Sequence, residues 1–211
     1  MSTPSTSLGA GEELCARLGE TPIKTLEVAR YLDGLTHTER VQAVRSLGKT
    51  EQRRLYAAVE GFAPLRLVDI VPANVRDLVP VRHYGKNSLL APLSLFEKRF
   101  ARPSGQRPEA PEWLCGYNYN RHPLLAAVAG PGYFIAREDK SRGEVLVDYR
   151  EIPSERPAAW PEVRSNERGF ARFIFGFMVD ALRRVSQHVS IGSAARYGKD
   201  LGSWFVLCRE P

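Results

Sequence analysis

Two short stretches gather the side chains most able to move a proton or hold an anion. The first is His83-Tyr84-Gly85-Lys86-Asn87-Ser88, grouped around a glycine in a segment that reads as a loop. An imidazole exchanges protons near neutral pH, and a lysine neutralises a carboxylate or phosphate. The second is Tyr117-Asn118-Tyr119-Asn120-Arg121-His122, densely polar for a strand end that follows Trp113 and Leu114. In an extended chain Asn118, Asn120 and His122 share one face, with Tyr117, Tyr119 and Arg121 on the other. A few convergent donors and acceptors in an apolar cavity suit ligand orientation. The candidate acid/base groups are therefore His83 and His122, and the candidate ligand-binding groups are Lys86, Tyr117, Asn118, Asn120 and Arg121. If both stretches serve one pocket, they should converge within about 10 Å, the scale of a small-ligand site. The plainer alternatives are a solvated turn with a helix cap at Asn87 or Ser88, and an edge strand whose polar side chains face water.

Other chemistries find no motif. Around Gly85-Lys86 the earlier glycine of a phosphate loop is replaced by Pro80, and Asn87 stands where Ser or Thr must follow the lysine. HExxH, GxGxxG, GxSxG and EF-hand patterns are missing from the sequence. Cys15, Cys115 and Cys208 are odd in number, far apart and without a CxxC pair, which argues against a disulfide framework and a zinc site. No motif names a cofactor, and no metal is expected. The cysteine usage fits a reducing compartment, so a cytoplasmic location is expected.

The formal net charge of +6 is unevenly placed. Residues 1–62 carry eight basic and eight acidic groups, residues 66–107 eight against three, 108–163 six against nine, and 164–199 seven against two. Two basic segments thus flank an acidic one. They either neutralise it across the fold or form a face for an anionic partner.

The elements that must position these groups begin with an N-terminal tail over 1–11 that lacks a signal-peptide pattern. A small unit of short helices follows over 12–62, with Thr36 to Glu39 as a capping box. An α+β domain is expected over 63–211. Proline-broken apolar residues over 64–80 suggest short strands or an extended crossing. Residues 89–102 lean to helix, although Phe96, Lys98 and Phe100 also alternate as in a strand. Strands are expected at 113–119, 133–137 and 145–152, with a polar turn at 139–143. From Phe170 to Val185 apolar residues go nearly all round a helical wheel, predicting one long buried helix. Its polar stripe, Arg172, Asp180, Arg183 and Gln187, should face water, and Asp180 and Arg184 should pair along its surface. A hairpin closes the chain, with runs at 189–197 and 203–209.

The expected fold is therefore α+β: a short-helix unit, then a mainly antiparallel curved sheet or open barrel packed on the long helix and closed by the C-terminal hairpin. The expected function is binding of a small anionic or amphipathic ligand between sheet and helix. The alternative is an enzyme in the same cavity, with a His general acid/base and a Lys or Arg anion clamp. Nucleic-acid binding through the basic segments ranks third, because no recognition motif accompanies them. No run is long enough to span a bilayer as a helix.

Overall fold

The computed structural model describes residues 8–88, 94–119, 130–164, 166, 172 and 175–211. Eight antiparallel strands close into a barrel in simple chain order. They are β1 (Val81–Asn87), β2 (Leu95–Ala101), β3 (Leu114–Tyr119), β4 (Tyr133–Asp139), β5 (Glu144–Asp148), β6 (Met178–Arg184), β7 (Val189–Arg196) and β8 (Lys199–Arg209). Closure is made by β1 on β8, with His83 opposite Arg209 and Asn87 opposite Phe205.

Strand alternation divides each strand between an inner and an outer face. Val81, Phe100, Leu114, Phe134, Val145, Leu182 and Phe205 point inward and form one buried cluster. A barrel of this size has an interior that side chains can fill. Three glycines make room for the rings: an added Cβ would lie 2.7 Å from the Phe96 ring at Gly85, 2.2 Å from Phe134 at Gly116 and 2.3 Å from Phe205 at Gly192. One end of the barrel is stopped by the single-turn helix α5 (Leu67–Ile70), whose Leu67 and Ile70 join the inner cluster.

Four helices of ten residues, α1 (Ala10–Gly19), α2 (Thr25–Gly34), α3 (His37–Ser46) and α4 (Lys49–Ala58), precede the barrel. The Thr36 capping box forms as the sequence suggests, with Glu39 Oε2 accepting from Thr36 N at 2.9 Å. Arg40 caps the C-terminal end of α2, donating to Leu32 O at 2.7 Å and Leu35 O at 2.6 Å. A cation there also complements the helix dipole. The helices bury Leu14, Leu18, Leu32, Leu47 and Leu55 against Val189, Ile191 and Val206 on the outer face of β7 and β8.

The expected long apolar helix is not what forms. Met178–Arg184 is strand β6, and Phe175–Phe177 is a turn in which Phe177 has φ 60°. Phe170, Phe173 and Ile174 lie outside the described residues. A short apolar run fits a strand as well as a buried helix segment, and periodicity alone cannot separate them. Three further expectations are corrected or refined. Residues 95–101 are strand rather than helix, with Phe96, Lys98 and Phe100 all inward; His83 to Asn87 lie in β1 rather than a loop; and 64–80, expected as short strands or an extended crossing, is an irregular crossing that holds the single-turn α5 and no strand.

The polar stripe also changes meaning. Arg183 is buried rather than water-facing, bonded to Glu144 Oε1 at 2.7 Å, Glu60 Oε1 at 3.0 Å and Tyr56 O at 2.9 Å. It joins α4 and its C-terminal exit to β5 and β6. Asp180 and Arg184 do not pair with each other: Asp180 takes Lys98, and Arg184 takes Asp69 at 3.4 Å. Removing the guanidinium leaves buried Glu144 with only the exposed Arg142, at 3.1 Å, and breaking a buried pair costs up to about 3 to 5 kcal/mol. Arg183→Ala should therefore lower unfolding free energy by that order in denaturant melts, against about 0.5 kcal/mol for an exposed arginine.

Candidate functional site

Lys98 sits on the inner face of β2, 1 % exposed, among the rings of Phe96, Phe134, Tyr149 and Phe205 at 4.9 to 5.9 Å. A lysine ammonium so enclosed must find partners for its three N–H donors. It donates to Asp180 Oδ2 at 2.9 Å, to Asn118 Oδ1 at 3.2 Å and to the Tyr149 hydroxyl. Asn118 Nδ2 in turn donates to Tyr149 Oη at 3.0 Å, and the Tyr149 hydroxyl donates to Asp180 Oδ2 at 3.2 Å. Asp180 Oδ1 is buried and has no hydrogen-bond partner among the described residues. Burial lowers the pKa of Lys98, with Asp180 opposing, and raises that of Tyr149 well above its usual value. Phe175 stacks on Tyr149 at 5.4 Å and 16°, lying against Gly132.

Asn118, a candidate from the sequence, thus enters a polar cluster with Asp180, expected on a water-facing stripe, and with Lys98 and Tyr149, which were not candidates. His83 and Asn118 flank Lys98 on the neighbouring strands, each its direct register partner. At about 4.8 Å per strand their Cα atoms lie roughly 10 Å apart. Their side chains do different things. The His83 ring is buried on Phe100 at 4.9 Å, and its Nε2–H donates to Ile70 O at 3.1 Å in α5. Burial moves its pKa down to about 3, so it stays neutral at physiological pH. Lys86 lies on the opposite face of β1 from Gly85 and points out of the barrel. Tyr117 is on the outer face of β3, under Trp160 at 4.8 Å, and its hydroxyl accepts from Arg99 Nη1 at 3.2 Å. Asn120, Arg121 and His122 lie outside the described residues.

A second arrangement lies near α5. A cavity of about 530 Å³ opens between α2, the exit from α4, α5 and the β6–β7 turn. Phe62, Val68 and Val185 supply apolar wall, and Arg184, Gln187 and Arg209 supply polar groups. Asp33 and Asp69 also line it but are engaged: Asp33 accepts from Gln187 N at 3.0 Å, and Asp69 from Arg66 N at 2.9 Å and from Arg184. Arg209 is different. It is 8 % exposed, its Nη2 meets His188 Nδ1 at 3.1 Å, and its buried Nε has no hydrogen-bond partner among the described residues. Burial works against its charge, with Asp69 the largest opposing influence. His83 and Arg209 both line a narrow space beside this cavity.

One sign in the sequence pointed to Lys98: a lysine in phase with Phe96 and Phe100 on an alternating strand must face the core. Asp180, alone among apolar residues, was the matching sign. Nothing in the pattern marked Arg209. Among the described residues no group of three or more His, Cys, Asp or Glu side chains could hold a metal ion, and no helix is long and apolar enough to cross a membrane. Comparison of the chain with protein-family models, curated proteins and solved structures gives no match.

Two outcomes follow from this geometry. His83 has a depressed folded pKa, so the unfolded state binds the extra proton first and stability falls as pH drops from about 6.5 towards 3. Between pH 7.5 and 5 this amounts to about 2 kcal/mol. His83→Gln, which keeps a donor for Ile70 O, should flatten the pH dependence of denaturant melts by about that amount. For the ion pair, Lys98→Met alone leaves Asp180 buried and uncompensated and should cost about 3 to 5 kcal/mol. Adding Asp180→Leu should recover most of that loss, measured in the same melts.

Proposed function

We propose that this protein binds a small anionic or amphipathic molecule in the cavity beside α5, with Arg209 receiving the anionic group. The observation that carries this reading is the Arg209 guanidinium: buried, with an unpartnered Nε, and lining a cavity of about 530 Å³. That volume falls within the usual range for small-molecule sites. A buried cation with spare donors is costly until an anion approaches it. Phe62, Val68 and Val185 provide the wall for an apolar body, and Arg184 stands at the rim, half-buried and already shared with Asp69. The site is thus moved from the sheet–helix interface expected from sequence to the junction of helical unit and barrel.

The enzymatic alternative draws on His83 lining the adjoining narrow space with Arg209. A ring held neutral down to a pH of about 3 and bonded to Ile70 O is poorly prepared for proton transfer near pH 7, so binding is the better-supported reading. Nucleic-acid binding loses support because many cations of the two basic segments are consumed internally. Lys98, Arg99, Arg102, Arg183 and Arg184 pair with Asp180, Glu97, Asp77, Glu144 and Asp69.

Calorimetric titration of the full chain with hexanoate, octanoate, decanoate and inorganic phosphate tests the proposal. At least one should bind, and Arg209→Gln should weaken it by about 10- to 100-fold, the size of a lost charge-assisted hydrogen bond. Equal affinity in the folded variant, or no binding of any of the four by the wild type, would remove Arg209 as the anion receptor.

A further inference from the structure

The cavity beside α5 is lined by four charged side chains, Asp33, Asp69, Arg184 and Arg209, whose charges sum to zero. That is a poor lining for a plain anion, which would meet two carboxylates. Asp69 and Arg184 answer each other at 3.4 Å. The other two make no ion pair with one another or, among the described residues, with any other side chain. The Asp33 carboxylate accepts from the neutral Gln187 N–H, at 3.0 and 3.3 Å to its two oxygens, which leaves acceptor sites open. Arg40, at the same end of α2, gives its N–H groups to the carbonyls of Leu32, Asp33 and Leu35 instead. On the other side, Arg209 Nη1 donates to Glu210 O at 3.4 Å, Nη2 meets His188 Nδ1 at 3.1 Å, and Nε has no partner among the described residues. One cavity thus presents one unmatched charge of each sign.

We propose that the molecule held here is an amino acid, its carboxylate on Arg209 and its ammonium on Asp33. This rests on Arg209 as the receptor of the anionic group. The two charges are anchored by successive residues of the β6–β7 turn, Gln187 and His188. Two hydrogen bonds, one residue of backbone and one imidazole therefore keep them within roughly 13 Å of each other. An amino acid spans such a gap with a hydrogen bond at each end. Asp33 lies in the last turn of α2, where the helix dipole also favours a cation. Ala29, one turn earlier, faces the same space with Phe62, Val68 and Val185, so the hydrocarbon part has an apolar wall. A monocarboxylate would satisfy Arg209 but be repelled by Asp33, and an amine without a carboxylate would leave the buried guanidinium unmet.

Calorimetric titration of the full chain with three six-carbon compounds tests this. Hexanoate, norleucine and 6-aminohexanoate share a carboxylate, and the last two add an ammonium. At least one of the amino acids should bind about fivefold tighter than hexanoate, the upper end for a solvent-accessible ion pair. Asp33→Asn keeps an oxygen for the Gln187 N–H and removes the charge. It should abolish that preference and leave hexanoate binding no weaker. Two results would overturn the proposal: both amino acids binding the wild type no tighter than hexanoate, or a preference that survives in the folded variant. The first comparison needs no variant at all. Hexanoate binding that depends on Arg209, without preference for an amino acid, sinks this proposal and leaves the anion receptor standing. Binding of all three that is indifferent to Arg209→Gln removes the receptor itself.

Discussion

Closure of β1 onto β8 is the constraint on which the other features rest. Once the first strand pairs with the last, most inward side chains are cut off from water, and a buried inward polar group needs a partner inside. That requirement explains why Lys98, Asp180, Tyr149 and Asn118 bond to one another, and why His83 reaches down to a carbonyl of α5. It also explains the glycines on the inner face. A closed sheet has a fixed interior volume, so rings as large as Phe96, Phe134 and Phe205 can enter only where the opposing backbone has no Cβ.

The outer face follows a different logic. Helices α1 to α4 cover β7 and β8, while Trp160 covers Tyr117 and Tyr133 on β3 and β4. Strands covered on both sides lose the alternation of apolar and polar residues that marks a half-exposed strand. For β6 the cause is different. Its Met178, Val179, Ala181 and Leu182 continue the apolar run that precedes it, and a run of that kind fits helix and strand alike, whereas β4, β5 and the turn between them were legible. The helical unit was legible for the opposite reason: its caps and glycine stops are local signals, and Thr36 with Glu39 needs nothing distant to form.

The candidate sites divide along the same line. Asn118 could be picked out because it belongs to a dense polar stretch, and Lys98 could have been, since its phase with Phe96 and Phe100 was visible. Its meeting with Asp180 spans 82 positions and depends on the barrel's register, which no local pattern encodes. Arg209 is the harder case. Its importance comes from a neighbourhood of α2, α5 and the β6–β7 turn, brought together by tertiary packing alone. Lys86 and Tyr117, by contrast, were attractive by residue type, but strand alternation turned both away from the interior.

Arg183 has a consequence for how the molecule comes apart. Its guanidinium is shared between Glu144 on β5 and the Tyr56 carbonyl and Glu60 at the end of the helical unit. Separating helices from barrel would leave Arg183 paired with Glu144 but strip it of the Tyr56 carbonyl and Glu60, so the opening loses bonds that tie the two parts together. Such an arrangement merges what would otherwise be two foldons into one cooperative unit. Amide protons in α4 and in β6 should then exchange through a common opening, and the seam near residue 62 is a poor place to divide the chain.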